Sequence, residues 1–331
     1  METSRLFKPL RVGHMVVQHR IGLSPMSRHR ASDDHVPTEM MKEYYSQRAA
    51  VPGTLLFTDA TFPAAYVGGL PNSPGLWSAN QIEAWKTITD EVHRRGCFIF
   101  VQLMAMGRVV FPDVVAKEGL TVMAPSPIAS GGGPVPKAMS VEAIRQMVQD
   151  FAQGARNAMA AGFDGVEISG DNGRLIDQFT QDVSNKRTDQ YGGSIENRSR
   201  LAIEVTSAVA DAIGPRRVGY RISPWSSFND MGMNDPIPQF SDLISKLSDV
   251  GIAYLHMIEP RIKGDTATAT TGTLDFAYRI WNGTFLVAGG HTPRSALDLV
   301  EAHGDKDIMV TLAGISSPIL TWCTGSREGW R

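Results

Sequence analysis

Residues 165–175 read Gly-Val-Glu-Ile-Ser-Gly-Asp-Asn-Gly-Arg-Leu, an apolar strand pattern that opens into a polar turn. The turn gathers a hydroxyl (Ser169), a carboxylate (Asp171), an amide (Asn172) and a guanidinium (Arg174), but no His and no Tyr. Such a set suits proton removal next to a carbonyl, with Ser169, Asn172 and Arg174 stabilising the oxyanion that forms. The base is open among three residues. Asp171 lies in the turn, or it serves only as an Asx-type loop cap. Asp59 ends the run "GTLLFTDA", where a structural hydrogen bond is the plain alternative, and His291 follows "TFLVAGG". Arg221, inside the strand pattern "RVGYRIS", invites an anionic or electron-rich partner or pairs with Glu167. Gly289-Gly290 before "HTPRSAL" suits a phosphate at a helix start, or is just a tight turn. His256 reads as a satisfied core histidine. No metal motif is present, since no His stands four residues from another with a Glu between.

These residues need a frame. Eight apolar runs, starting at 20, 53, 97, 165, 217, 252, 284 and 307, alternate with helical patterns. Continuous apolar runs suit parallel strands buried on both faces, and the alternation predicts a (β/α)₈ TIM barrel in a single domain over 1–331. An open doubly wound sheet would need a Gly-rich phosphate turn after its first strand, and "SPMSRHR" is not one. Loop 105–139 is long enough to form a lid after the third strand. After the eighth strand only the tail 315–331 remains, so the closing helix is expected to be missing or residual. The groove left open predicts a homodimer.

Bulk properties narrow the partners. The 331 residues are 42% hydrophobic and 20% charged, with net charge −2, so nothing pulls the chain toward nucleic acid or an anionic membrane. No apolar leader or 18-residue apolar run is visible. The two cysteines, Cys97 and Cys323, form no disulfide framework. A cytoplasmic protein acting on a small molecule is expected.

The blocks "LFKPLRVG", "HRIGLSPMSRHRA", "EYYSQRA", "GLWSANQIEAWK", "FVQLMAMGR", "LIDQFTQDVSNKRTDQYGGSIENRSRLAIEV" and "AYLHMIEPR" resemble the old yellow enzymes, FMN-dependent ene-reductases on a (β/α)₈ barrel. The likeness runs from residue 6 to about 314 and leans toward fungal members serving secondary metabolism. It implies flavin-ring contacts from Pro25, Met26, Ser27, Ala60, Gln102 and Arg221, and phosphate contacts from Gly289 and Gly290.

The departures carry the functional expectation. The family's loop reads roughly H-G-A-[HN]-G-Y-L, in which the His and the His or Asn hold the substrate carbonyl and the Tyr donates a proton. Here Ser169 replaces the His, Asn172 is kept and Arg174 replaces the Tyr, a cation that cannot release its proton near neutral pH. Met104 stands where the family has Trp. After Gly314 the family's Arg segment is missing, which predicts a weakened phosphate grip. The expected function is therefore a redox-neutral isomerase or epimerase with no cofactor required. It would act on a bulky apolar fungal metabolite, as in epimerases of 2-pyridone (ilicicolin-type) pathways. Met104, Tyr66, Trp225, Phe228 and Met257 would line the pocket. The alternatives are an NADPH-driven ene-reductase with weakly held FMN and a non-catalytic metabolite-binding barrel.

Overall fold

The computed structural model describes residues 4–263, 266–267 and 272–313. The chain opens with a hairpin, β1 (Leu10–Val12) and β2 (Met15–Val17). Barrel strand β3 (Ile21–Leu23) leads to α1 (Glu39–Arg48), and β4 (Leu55–Thr61) to α2 (Ala79–Arg94). After β5 (Phe98–Leu103) comes the long excursion, with α3 (Pro112–Glu118) and two short strands, β6 (Met123–Ala124) and β7 (Lys137–Ala138), before α4 (Val141–Ala160). Strand β8 (Gly165–Gly170) is followed by α5 (Leu175–Thr180) and α6 (Ile195–Ile213), and β9 (Val218–Ile222) by α7 (Ile237–Val250). Then come β10 (Tyr254–Ile258), the short pair β11 (Ile262–Lys263) and β12 (Thr266–Ala267), α8 (Asp275–Ile280), β13 (Thr284–Ala288), α9 (Pro293–Ala302) and β14 (Ile308–Leu312).

The strands β3, β4, β5, β8, β9, β10, β13 and β14 close into a barrel in that order, as the alternation of the sequence predicts. Local chemistry starts the helices where the chain must turn back. Ser78 and Thr292 form capping boxes, and Ser140 and Ser194 accept from the first turns of α4 and α6. Hairpin residues Leu10, Val12, Met15 and Val17 pack with Leu55, Phe57, Phe100, Tyr254, Leu286 and Met309, sealing the barrel floor with apolar side chains. The chemistry is therefore left to the upper half, at the carboxyl ends of the strands.

The segment 105–139 is held down rather than loose. It carries the helix α3 and the two-residue strands β6 and β7, which pair with each other. Arg108 is the main tether. Its guanidinium donates to the carbonyls of Ile128 and Ala129 in its own loop and of Asn229 and Asp230 after β9. Asp230 in turn accepts from the Ser130 hydroxyl and the Gly131 amide. The tail 315–331, with its expected missing helix, dimer groove and Cys323, lies outside the described residues, as does Gly314. Cys97 is a free, buried thiol. Among the described residues no helix is long and apolar enough to cross a membrane.

Candidate active site

Inward-facing residues alternate along each strand, and near the top of the barrel they turn polar. Register places Gln102 beside Glu167, and Arg221 beside both Ser169 and His256. A chain of donors converges on Glu167. The Ser24 hydroxyl meets Thr311 Oγ1 at 2.8 Å, and Thr311 meets His256 Nε2 at 3.0 Å. His256 Nδ1 lies 2.7 Å from Glu167 Oε2, and Gln102 Nε2 donates to Glu167 Oε1 at 2.8 Å. Every member is buried. Burial pushes Glu167 upward, but His256, Arg221 and Gln102 outweigh it and hold the carboxyl below its usual range. Burial holds His256 down in turn. Glu167 is thus an ionised acceptor with its lone pairs used, the condition under which a buried charge is tolerated.

One level higher sits the turn after β8. Asp171 is its centre: Ser169 Oγ donates to Oδ1 at 2.6 Å, Asn172 Nδ2 donates to Oδ2 at 2.8 Å, and Arg221 Nη1 lies 3.3 Å from Oδ2. The partner of Arg221 is therefore Asp171, whereas Glu167 is satisfied by His256 and Gln102. Asp171 is no simple Asx cap, because its carboxylate is filled by side chains. Asn172 takes positive φ, 53°, which an Asn tolerates, and its amide donates to Ser223 Oγ. Gly173 needs its φ of 71°, and a Cβ there would stand 2.7 Å from Asn229 Cβ. Arg174 stands half-buried at the start of α5, its Nη1 3.2 Å from Met106 Sδ. Burial lowers its pKa and Asp171 pulls it back up. Beneath the turn, Asp177 accepts from the Gly173 amide at 2.9 Å and from Gln181 Nε2 at 2.9 Å, and burial pushes its pKa to about 7.

Three expected residues lie apart from this cluster. Asp59 faces α1, where Oδ1 accepts from the Tyr45 hydroxyl at 2.5 Å and Oδ2 from the Arg28 amide at 2.6 Å, so it is a structural clamp. His291 sits beside Arg261, with 3.1 Å between Nδ1 and Nη2, and burial, helped by that guanidinium, lowers it to about 4. Met257 alternates with the inward His256 and packs into the core outside the barrel lumen. Of the other expected lining residues, Met104 is buried at the top of β5. Tyr66 donates to Asp150 on α4 at 2.6 Å. Trp225 donates to the Thr273 carbonyl at 3.0 Å, and Phe228 lies on a short turn after β9. Arg108 and the Glu167–His256 pair were missed as a unit. The period-two pattern of "GVEIS" and "YLHMI" did carry the signal that Glu167 and His256 both point inward.

With this geometry in view, the comparisons place the chain. The family model described as NADH:flavin oxidoreductase / NADH oxidase matches residues 5–316, and the chain belongs to that family. Its old yellow enzyme character follows from the solved structures. The old yellow enzyme homologue from Zymomonas mobilis superposes with a TM-score of 0.90 at 34% identity, covering 98% of this chain and 96% of that one. Among curated relatives, chanoclavine-I aldehyde reductase fgaOx3 of Penicillium roqueforti is 47% identical over 323 residues, 96% of this chain and 87% of that protein. A probable inactive dehydrogenase, easA, of Claviceps purpurea is 44% identical over 333 residues, 97% of this chain and 88% of that protein.

These findings overturn the expectation that no cofactor is required: the family match and the old yellow enzyme neighbours point to FMN. The residues present fit it. Arg221 Nε, at the carboxyl end of β9, is buried without an acceptor, and an electron-rich ring edge would complete it. Gly289 holds φ at 143°, and a Cβ there would lie 2.4 Å from Glu259 Cβ, so that backbone is kept bare. Gln102 and Arg221, with Pro25, Met26, Ser27 and Ala60 at the strand ends, would hold the ring, and Gly289 and Gly290 the phosphate.

Proposed function

We propose that this member of the flavin family catalyses a redox-neutral isomerisation or epimerisation of a carbonyl compound with an apolar body. FMN, when bound, supplies a hydride acceptor and donor. What this chain's own residues offer at the rim is proton chemistry. One observation carries the reading: the Ser169 hydroxyl and the Asn172 amide both donate into Asp171. The loop therefore presents a carboxylate and a guanidinium in place of a carbonyl anchor and a neutral proton donor.

In this reading Asp171 takes a proton from carbon next to the unsaturated carbonyl system. The C–H electron pair moves into the conjugated system and onto oxygen, where Arg174 offsets the charge. Delivery of a proton from Asp171, after exchange with solvent, to another carbon or face completes the isomerisation with no net electron transfer. Ser169, Asn172 and Arg221 hold Asp171 in place throughout.

The test is incubation of the flavin-loaded protein with unsaturated aldehydes and ketones in D₂O, with and without NADPH. Isomerised product carrying deuterium at one carbon, formed without NADPH, is expected. Product that appears only as NADPH is consumed would instead establish an ene-reductase, the second reading, which the reductase names of several relatives favour.

A further inference from the structure

We propose that Arg174 makes this pocket selective for a ligand that carries a carboxylate close to its reacting carbonyl. The inference goes beyond proton shuttling at Asp171 and stands without it. It rests on which polar groups at the rim are already spent. Asp171 takes the hydrogen bonds of Ser169 and Asn172 and the charge of Arg221. Glu167, the next carboxylate, is filled by His256 and Gln102. Arg174 is left over. Its guanidinium touches only a thioether, Met106 Sδ, and no carboxylate among the described residues forms an ion pair with it. Asp171 acts on it only through space.

A partly desolvated guanidinium facing sulfur is a poor structural choice, because sulfur is a weak acceptor and the lost hydration is not replaced. The five N–H groups of Arg form a planar fork that matches a carboxylate in bidentate fashion. The same fork is wide enough to reach a neighbouring carbonyl oxygen. Next to it, Asn172 Oδ1 is buried and has no donor. The amide cannot turn to cure this, since its Nδ2 is committed to Asp171. The rim thus asks for an anionic acceptor at Arg174 and an N–H or O–H donor at Asn172. Around Arg174 the surroundings are apolar: Met106, whose sulfur it meets, and Leu175, its chain neighbour, are buried. An unsaturated acid on an apolar body meets the demand at Arg174 better than a neutral enal does, and one that also bears a hydroxyl or amide N–H meets the demand at Asn172 as well.

The experiment compares two nearly isosteric probes, trans-cinnamate and trans-cinnamamide, titrated calorimetrically into the FMN-loaded protein. Cinnamate is expected to bind about 10- to 100-fold more tightly, the range a charge-assisted pair provides. The preference should vanish in Arg174→Met and in Arg174→Tyr, and persist in part in Arg174→Lys. Thermal melting of each variant separates loss of fold from loss of the charge, and the Tyr variant restores the residue type usual for the family at this position. Equal affinities in the parent protein, no binding of either probe, or a preference that survives Arg174→Met would each overturn the proposal. Because the readout is binding alone, its failure is distinguishable from a failure of the deuterium experiment.

Discussion

Two levels of the same barrel have been treated differently. The layer of Ser24, Thr311, His256, Glu167 and Gln102 is closed: each donor points toward Glu167, and nothing is left over for a ligand except the far end of Gln102. The turn one level above is open. It concentrates donors on Asp171 but leaves Arg174 and Asn172 Oδ1 without protein partners of their own kind. Closed networks fix geometry, and open ones bind. The difference separates a self-satisfied framework from a rim that offers a carboxylate and a guanidinium to a ligand.

The largest effect should come from the rim. Asp171→Asn keeps the shape but removes the base, and is expected to lower deuterium incorporation by about 100- to 10,000-fold. Melting temperature should fall, because Arg221 loses its counter-charge, so flavin content is measured alongside to separate that loss from loss of the base. A variant that exchanges deuterium as fast as the parent would place the base elsewhere and dissolve the division between the two levels.

The lower layer should answer with stability instead. Glu167→Leu would strand His256 Nδ1 and Gln102 Nε2 and leave Arg221 with one fewer counter-charge. Breaking a buried charged network from one side costs about 3–5 kcal/mol. A fall of that size in denaturant unfolding is expected, whereas Arg174→Met, at the open level, should cost far less.

How far these levels can be read from sequence differs for the same reason. Eight strands and their order were legible because burial on both faces writes a long apolar run, and "RVGYRIS" or "DIMVTLAG" permits little else. Arg221 stood out because a cation is rare in such a run. What could not be read was partnership. Glu167, Asp171 and His256 are all inward-facing by alternation, but which carboxylate meets Arg221 depends on barrel stagger, and that is a three-dimensional quantity. Asp59 misled for a similar reason. Its strand changes register between Phe57 and Ala60, and this turns a residue that simple alternation would place inward toward α1. The cofactor expectation failed because it inferred loss of FMN from the altered rim loop and the missing segment after Gly314, whereas the family match and the old yellow enzyme neighbours point to FMN.

Asp177, beneath the turn, gives a test by pH. Burial raises its folded-state pKa to about 7, above the ordinary value of 3.8. The folded protein therefore holds this proton more tightly than the unfolded chain does. Its contribution is most favourable below about pH 4, declines as pH rises toward 7, and is flat above that. The full swing is on the order of 4 kcal/mol. Asp177→Asn should remove that decline, so the variant gains on the parent in melting temperature between pH 5 and roughly pH 8. Parallel curves would show that the carboxyl under the turn is not strained by burial.

The smallest effect concerns the tether that closes the long loop against the β9 side. Arg108→Met deletes hydrogen bonds to four carbonyls, those of Ile128, Ala129, Asn229 and Asp230. The longest of these, at 3.3–3.5 Å, are weak, and Asp230 still receives Ser130 and Gly131. Global stability should fall by only about 1–2 kcal/mol. The local consequence should be clearer: faster hydrogen exchange over 126–133 and 228–231, with the Glu167 layer unchanged. If protection were lost equally in β8 and β10, the loop and the barrel floor would open together, and the rim could not have been altered independently of the framework beneath it.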